Sequence, residues 1–136
     1  NLDGKRILNE ICYETGLVNT EIAKRMKSEV IAYADSSEPK SIEEIRRTGQ
    51  KIKGVTKGAD SINFGIQIMQ SQSYLVTSKS ANLIKELRSY CWDKDRKTGA
   101  QIGKPTPFFD HTVDAVSYHE MESLGRGANF GKYNIR

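Results

Sequence analysis

The sequence predicts an α/β domain in which parallel strands are joined by right-handed crossovers and helices pack across them. Two observations carry that expectation. Short apolar runs suited to strands alternate along the chain with stretches whose apolar residues recur at helical spacing. A length of 136 residues also fits one domain, able to bury about two-thirds of its unfolded surface.

In chain order, residues 5–13 alternate Ile7, Ile11 and Tyr13 with polar neighbours and read as a strand. Asp3-Gly4 before it is a hairpin turn signal with almost nothing on its other side. The chain therefore reads as a fragment whose earlier strand is cut away. Asn19 is placed to cap a helix reaching residue 28, with Ile22, Ala23 and Met26 on one face. Residues 30–35, VIAYAD, are nearly all apolar and suit a strand covered on both faces, ending in Asp35. Pro39 and the Ser41-x-x-Glu44 pattern announce a helix with Ile42 and Ile45 inward, which Gly49 ends.

Residues 51–55, KIKGV, give another short strand. Asp60 is expected to cap a helix carrying Ile62, Ile66 and Met69. Residues 73–77, SYLVT, are strand-like, and Ser78 or Ser80 opens a helix burying Leu83, Ile84 and Leu87. Residues 90–106 read as a hairpin or long loop turning at Lys97-Thr98-Gly99. A last helix runs from Asp110 to Leu124, and residues 125–136 form a Gly-rich basic tail, so the domain proper is 1–124.

Twenty-one Lys and Arg against seventeen Asp and Glu give a net charge of +4, which permits a polyanionic partner without requiring one. Mean hydropathy is −0.60, on the polar side. Cys12 and Cys91 lack paired spacing, which speaks against a disulfide framework or zinc cluster and for a reducing compartment. No apolar run approaches the ~18 residues of a membrane span. A Walker loop, a G-x-G-x-x-G turn and a Ser/His/Asp set are all missing.

The candidate chemistry lies in D-H-T-V-D, residues 110–114. On a helix starting there, His111, Asp114 and Tyr118 share a face while Val113 and Val116 point to the core. Asp110 is placed as the N-cap. The pattern is either one side of a metal site or a charged helix start. A third ligand would decide for the metal, and Asp35 is the candidate; otherwise it is a strand-terminal turn or cap residue. Carboxylates with one imidazole suit Mg²⁺ or Mn²⁺, ions that commonly serve phosphoryl chemistry.

Basic residues cluster between 40 and 57, and Lys40, Lys53 and Lys57 are the candidates for a phosphate backbone. Lys57 and its flanking glycine are the strongest of them, against the alternative of a solvated face, which suits Arg46 and Arg47. Lys94, Arg96, Lys97 and Lys104 form a second basic group. Tyr90, Trp92, Phe108 and Phe109 are expected to pack rather than to stack on bases, and His119 to lie on a helix surface.

Four blocks in order, YADSSEPKSIEEIRR, IKGVTKGADSINFGIQ, LIKELRSYCWDKD and DHTVDAVSY, resemble the C-terminal nuclease domain of the large terminase subunit of tailed bacteriophages. The resemblance spans about residues 5–122. It implies an RNase H-like mixed sheet flanked by helices and a two-metal endonuclease that cuts concatemeric double-stranded DNA during packaging. It assigns Asp35, His111 and Asp114 to the metals, two Mg²⁺ or Mn²⁺ ions, with Asp110 as cap or supporting neighbour and Lys53 to Ser61 as a counterpart segment. The implied partners are DNA, an ATPase domain, a small terminase subunit and the portal or procapsid, in the cytoplasm of a bacterial host. The family's first metal aspartate and its opening strands would precede residue 1. That departure implies a sheet that rearranges, borrows a strand or stays incomplete, and weak or no cutting by the chain alone. The rival expectations are a catalytically silent DNA-binding module and a related recombinase or junction resolvase.

Overall fold

The structure is a computed structural model that describes residues 4–105 and 110–124. Its elements run β1 (Arg6–Leu8), α1 (Asn19–Arg25), β2 (Ala32–Ala34), α2 (Pro39–Arg47), β3 (Ile52–Gly54), α3 (Ser61–Gln70), β4 (Tyr74–Val76), α4 (Ala81–Ser89), β5 (Trp92–Lys94), β6 (Gln101–Pro105) and α5 (His111–Leu124). The expected alternation is present. Asp3, Phe108, Phe109 and the 125–136 tail lie outside the described residues. None of the described helices is long and apolar enough to cross a membrane.

The strands pair two by two. β1 runs parallel to β4 with Arg6 opposite Tyr74, β2 runs parallel to β3 with Ala32 opposite Ile52, and β5 pairs antiparallel with β6. Parallel and antiparallel pairing are thus both present, but among the described residues the pairs form three separate two-stranded sheets. Backbone direction explains what stays open. Ala32 N–H donates to Lys51 and Ala34 C=O accepts from Val55, so the groups of Tyr33 between them face away from β3. In β1, Arg6 and Leu8 bond toward β4 and Ile7 faces away in the same manner.

The structure corrects one expectation about burial and one about strand length. Residues 30–35 are not covered on both faces: Val30 and Ile31 are exposed and residues 32–35 are half-buried, with the Tyr33 ring set edge-on 5.7 Å from His119 of α5. The strand expected over 5–13 is confined to Arg6–Leu8, and Ile7, Ile11 and Tyr13 are exposed. Ile11, Tyr13 and Val30 border an open groove of about 1160 Å³ with Ile22, Met26 and Val116 on its walls.

The helices supply the core. Ala23, Ile42, Ile45, Val55, Ile66, Ile68, Leu83 and Val113 are buried. α3 and α5 approach so closely at Gly65 that a Cβ there would lie 3.0 Å from the Ser117 Cβ. Ile62, expected inward, is exposed, whereas Ile68 takes a core position. Leu87 and Ile84 are half-buried beside Leu83.

Helix starts differ from the expected caps in an instructive way. Asn19 is the first residue of α1 rather than its cap; Val18 holds the cap position, and Glu21 reaches back to the Val18 N–H at 3.2 Å. Ser41 and Glu44 lie inside α2, which begins at Pro39 after Glu38. Asn19 Nδ2 donates to Glu44 Oε2 at 2.6 Å, so both residues tie α1 to α2. Asp60 occupies the cap position of α3 without a side-chain bond. Ser80 is fully buried at the start of α4, and its Oγ accepts from the Glu10 N–H while the Glu10 carboxylate accepts from the Leu83 N–H at 2.8 Å. Gly49 after α2 and Gly99 in the β5–β6 turn have positive φ, 93° and 69°, as left-handed turn positions require.

Candidate active site

Asp35 follows directly on β2 and faces α5. Its Oδ1 accepts from the Ser37 N–H at 2.9 Å, a local turn bond, while Oδ2 accepts from Lys57 Nζ at 2.7 Å and Tyr118 OH at 3.2 Å. Lys57 comes from the segment after β3, and its ammonium also stands 5.1 Å above the Tyr118 ring. The ammonium, and then the Ser37 N–H, hold the Asp35 carboxyl well below the usual carboxylate range. Burial alone would lower the Lys57 pKa, but Asp35 and Tyr118 together outweigh it and the net shift is upward.

Asp114 lies on the α5 face that closes the same pocket, a cavity of about 300 Å³ whose walls include Asp35, Lys57, Tyr90, Asp114 and Tyr118. Burial raises the Asp114 carboxyl to about 6, with Asp110 and Asp35 adding like-charge repulsion against the opposing pull of Lys57 and His111. Tyr90 beside it is pushed up to about 12, chiefly by burial and then by Asp114. Two carboxylates thus face one cavity, one satisfied by an ammonium and one strained by its surroundings.

His111 stands apart from them. It is exposed, lines the larger groove, and has its ring 6.5 Å from that of Tyr13. Among the described residues no three His, Cys, Asp or Glu side chains come together as a metal site. The expected grouping of His111 with Asp35 and Asp114 is therefore not assembled. Helical spacing would let His111 share the face of Asp114 and Tyr118, but it is the first residue of α5, two turns from Tyr118 along the axis, and its ring meets Tyr13 instead.

Asp110 stands just before α5, where its carbonyl accepts the Asp114 N–H at 2.7 Å. The side chain that caps α5 is Glu86 of α4. Glu86 Oε2 accepts the Thr112 N–H at 2.7 Å and the Val113 N–H at 3.3 Å and also meets Thr112 Oγ1, while Oε1 accepts Tyr13 OH at 3.1 Å. Sequence reading missed Glu86, although a glutamate three residues after Leu83, on the buried stripe of α4, is the signal that pointed to it.

Lys53 and Lys40 do not line the pocket. Lys53 lies in β3 with its ammonium 3.5 Å from the buried Glu122 carboxylate, and Lys40 is exposed in the first turn of α2. Of the three basic candidates, only Lys57 lines the pocket with Asp35 and Asp114.

The sequence matches the family described as terminase RNase H-like domain over residues 2–119. The chain belongs to that family. A terminase RNase H-like domain accounts for the alternation of short strands and helices. A curated relative, the large terminase subunit of the PBSX phage from Bacillus subtilis (strain 168), is 28% identical over 99 residues. The match covers 72% of this chain and 23% of that protein, so the chain spans about a quarter of the relative's length. Among solved structures, the large-terminase nuclease domain of bacteriophage SPP1, crystallised with bound Mn, superposes with a TM-score of 0.65 at 26% identity, covering 76% of this chain and 60% of that one. The large terminase of a thermophilic bacteriophage is similar in fold, with a TM-score of 0.57 at 21% identity, over 77% of this chain and 27% of that one.

The donor set fits a hard divalent ion in part. Mg²⁺-like ions are commonly held by one or two carboxylates, with waters and substrate phosphates completing the shell. Asp35 and Asp114 meet that description, and a divalent ion between them would relieve the strain on Asp114.

Proposed function

We propose that this terminase RNase H-like domain is a divalent-metal-dependent endonuclease that hydrolyses phosphodiester bonds of double-stranded DNA, the concatemeric substrate of genome packaging. The observation that carries the proposal is the pairing of Asp35 and Asp114 in one pocket, where burial and like charge keep Asp114 poised for a cation. Mn bound to the SPP1 nuclease domain supports the choice of Mg²⁺ or Mn²⁺.

Asp35 and Asp114 would hold the metal, with His111 joining them only if its side chain turns from Tyr13. Two such ions, when bound, supply an activated water and stabilise the leaving 3′ oxygen. Lys57 contributes a positive charge at the pocket, and Lys53 and Lys40 extend it over β3 and α2, where a backbone could be held without reading bases. Tyr118 orients Asp35 through its hydroxyl, and Asp110 raises the charge density beside Asp114. In the longer protein, an ATPase domain, a small terminase subunit and a portal or procapsid are the expected partners, in the host cytoplasm.

The test is Mn²⁺ calorimetry and plasmid nicking with the 136-residue chain and its Asp35→Asn/Asp114→Asn double variant. Mn²⁺ binding and any nicking should be lost together in the variant. Full retention of either overturns the reading.

A second reading, a catalytically silent DNA-binding module, draws support from His111 facing the other groove. It expects duplex retention that falls steeply with salt and no Mn²⁺-dependent cutting.

A further inference from the structure

We propose that Lys57 acts as a resident cation at Asp35, which a divalent ion has to displace, and that the displaced ammonium then becomes the contact for a DNA phosphate. The inference rests on the metal reading of Asp35 and Asp114 and goes beyond it by assigning Lys57 two successive positions.

Both oxygens of Asp35 are engaged. Oδ1 serves the Ser37 N–H, and Oδ2, the oxygen facing the pocket, takes Lys57 at 2.7 Å and the Tyr118 hydroxyl at 3.2 Å. An incoming metal needs a lone pair on Oδ2, and the ammonium covers it. A lysine suits this role because its charge is compact and its stem flexible, so it can leave without dragging the backbone. The surroundings allow that movement. The Lys57 side chain is 38% exposed, and a Cβ on the adjacent Gly58 would meet nothing within 4 Å. The Tyr118 ring, 5.1 Å from Nζ, gives the ammonium a second attraction that marks its parked position. Once off Asp35, the ammonium remains at the mouth of the same pocket, where a phosphate approaching the metal would arrive.

The experiment titrates Mn²⁺ into the full chain by calorimetry at constant ionic strength, for the wild type, Lys57→Met, Lys57→Arg and Lys51→Met. Removing the competing cation should tighten Mn²⁺ by about threefold in Lys57→Met, the scale of a half-exposed ion pair. Lys57→Arg keeps a cation and should stay near wild type, and Lys51→Met, which removes the same charge from an exposed site, should do likewise. Retention of a short duplex should meanwhile fall in Lys57→Met. Unchanged or weaker Mn²⁺ affinity in Lys57→Met overturns the proposal, as does an equal gain in Lys57→Arg or Lys51→Met. Undiminished duplex retention overturns the released-ammonium step. Failure of the metal reading itself has another signature: no Mn²⁺ heat in the wild type, or the same heat in Asp35→Asn.

Discussion

At the scale of single residues, Asp114 is held against its own stability. A carboxyl raised to about 6 in the folded chain binds its proton more tightly there than when unfolded. The fold is therefore favoured at low pH, and that contribution fades as pH rises from about 4 to about 6, so at neutral pH the ionised group costs stability. Asp114→Asn removes the charge and should raise the melting temperature at pH 8, by an amount equivalent to roughly 1–2 kcal/mol. The gain should vanish near pH 4. Thermal denaturation of both proteins across that range checks it; a variant less stable at pH 8 would contradict the reading. Asp35 shows the opposite balance, since its partners Lys57 and Ser37 are already in place. Asp114 was legible as a candidate in the sequence because D-H-x-x-D stands at a helix start. Its strain was not, because strain depends on which groups are brought against it.

At the scale of elements, α5 is anchored by a residue from another helix. Glu86 is 2% exposed, and its carboxylate receives the first-turn N–H groups of α5 together with Tyr13 OH. Burial would raise its pKa, but the donors from Thr112, Val113 and Tyr13 prevail and lower it. Such a group stabilises the fold above its unfolded pKa and loses that effect as pH falls through the folded value. Glu86→Ala leaves the buried Val113 N–H and the half-buried Thr112 donors unpaired and should cost about 2 kcal/mol, measured by urea denaturation. Glu86→Gln keeps one acceptor oxygen and should lose less, with its deficit shrinking in acid. Equal stability of Glu86→Ala and wild type would remove Glu86 as the anchor. α4 repeats the device, with Glu10 from the segment after β1 capping its first turn. Sequence patterns located both helices, with Ser78 or Ser80 opening α4 and Asp110 capping α5; Ser80 does hold the cap position of α4, but the carboxylates that accept the first-turn N–H groups come from Glu10 and Glu86. Local spacing cannot see a carboxylate delivered from elsewhere in the chain.

At the scale of the whole molecule, the core lies among the helices together with Val55 after β3, while the groove bordered by the segment after β1 and the start of β2 stays open. Val113 is 2% exposed and Ile11 67%. Val113→Ala should therefore cost about 2 kcal/mol, whereas Ile11→Ser should stay within roughly 0.5 kcal/mol. Chemical denaturation of the two variants compares them directly, and a reversed order would mean that the core lies on the other side. An apolar run read alone placed residues 30–35 in a covered strand. Coverage depends on a second strand or helix on each side, and β2 has β3 on one edge and α5 on one face.

Local pattern was enough to give the order of strands and helices, the family, and Asp35, Asp114 and Lys57 as candidates, because periodicity, turn residues and motif spacing are properties of neighbouring residues. Folding then determined that Asp35 and Asp114 share a pocket, that Lys57 covers Asp35, that His111 faces Tyr13, and that Glu86 caps α5. Each of these depends on distances between residues far apart in the chain, which exist only once β2, the segment after β3, α4 and α5 have packed together.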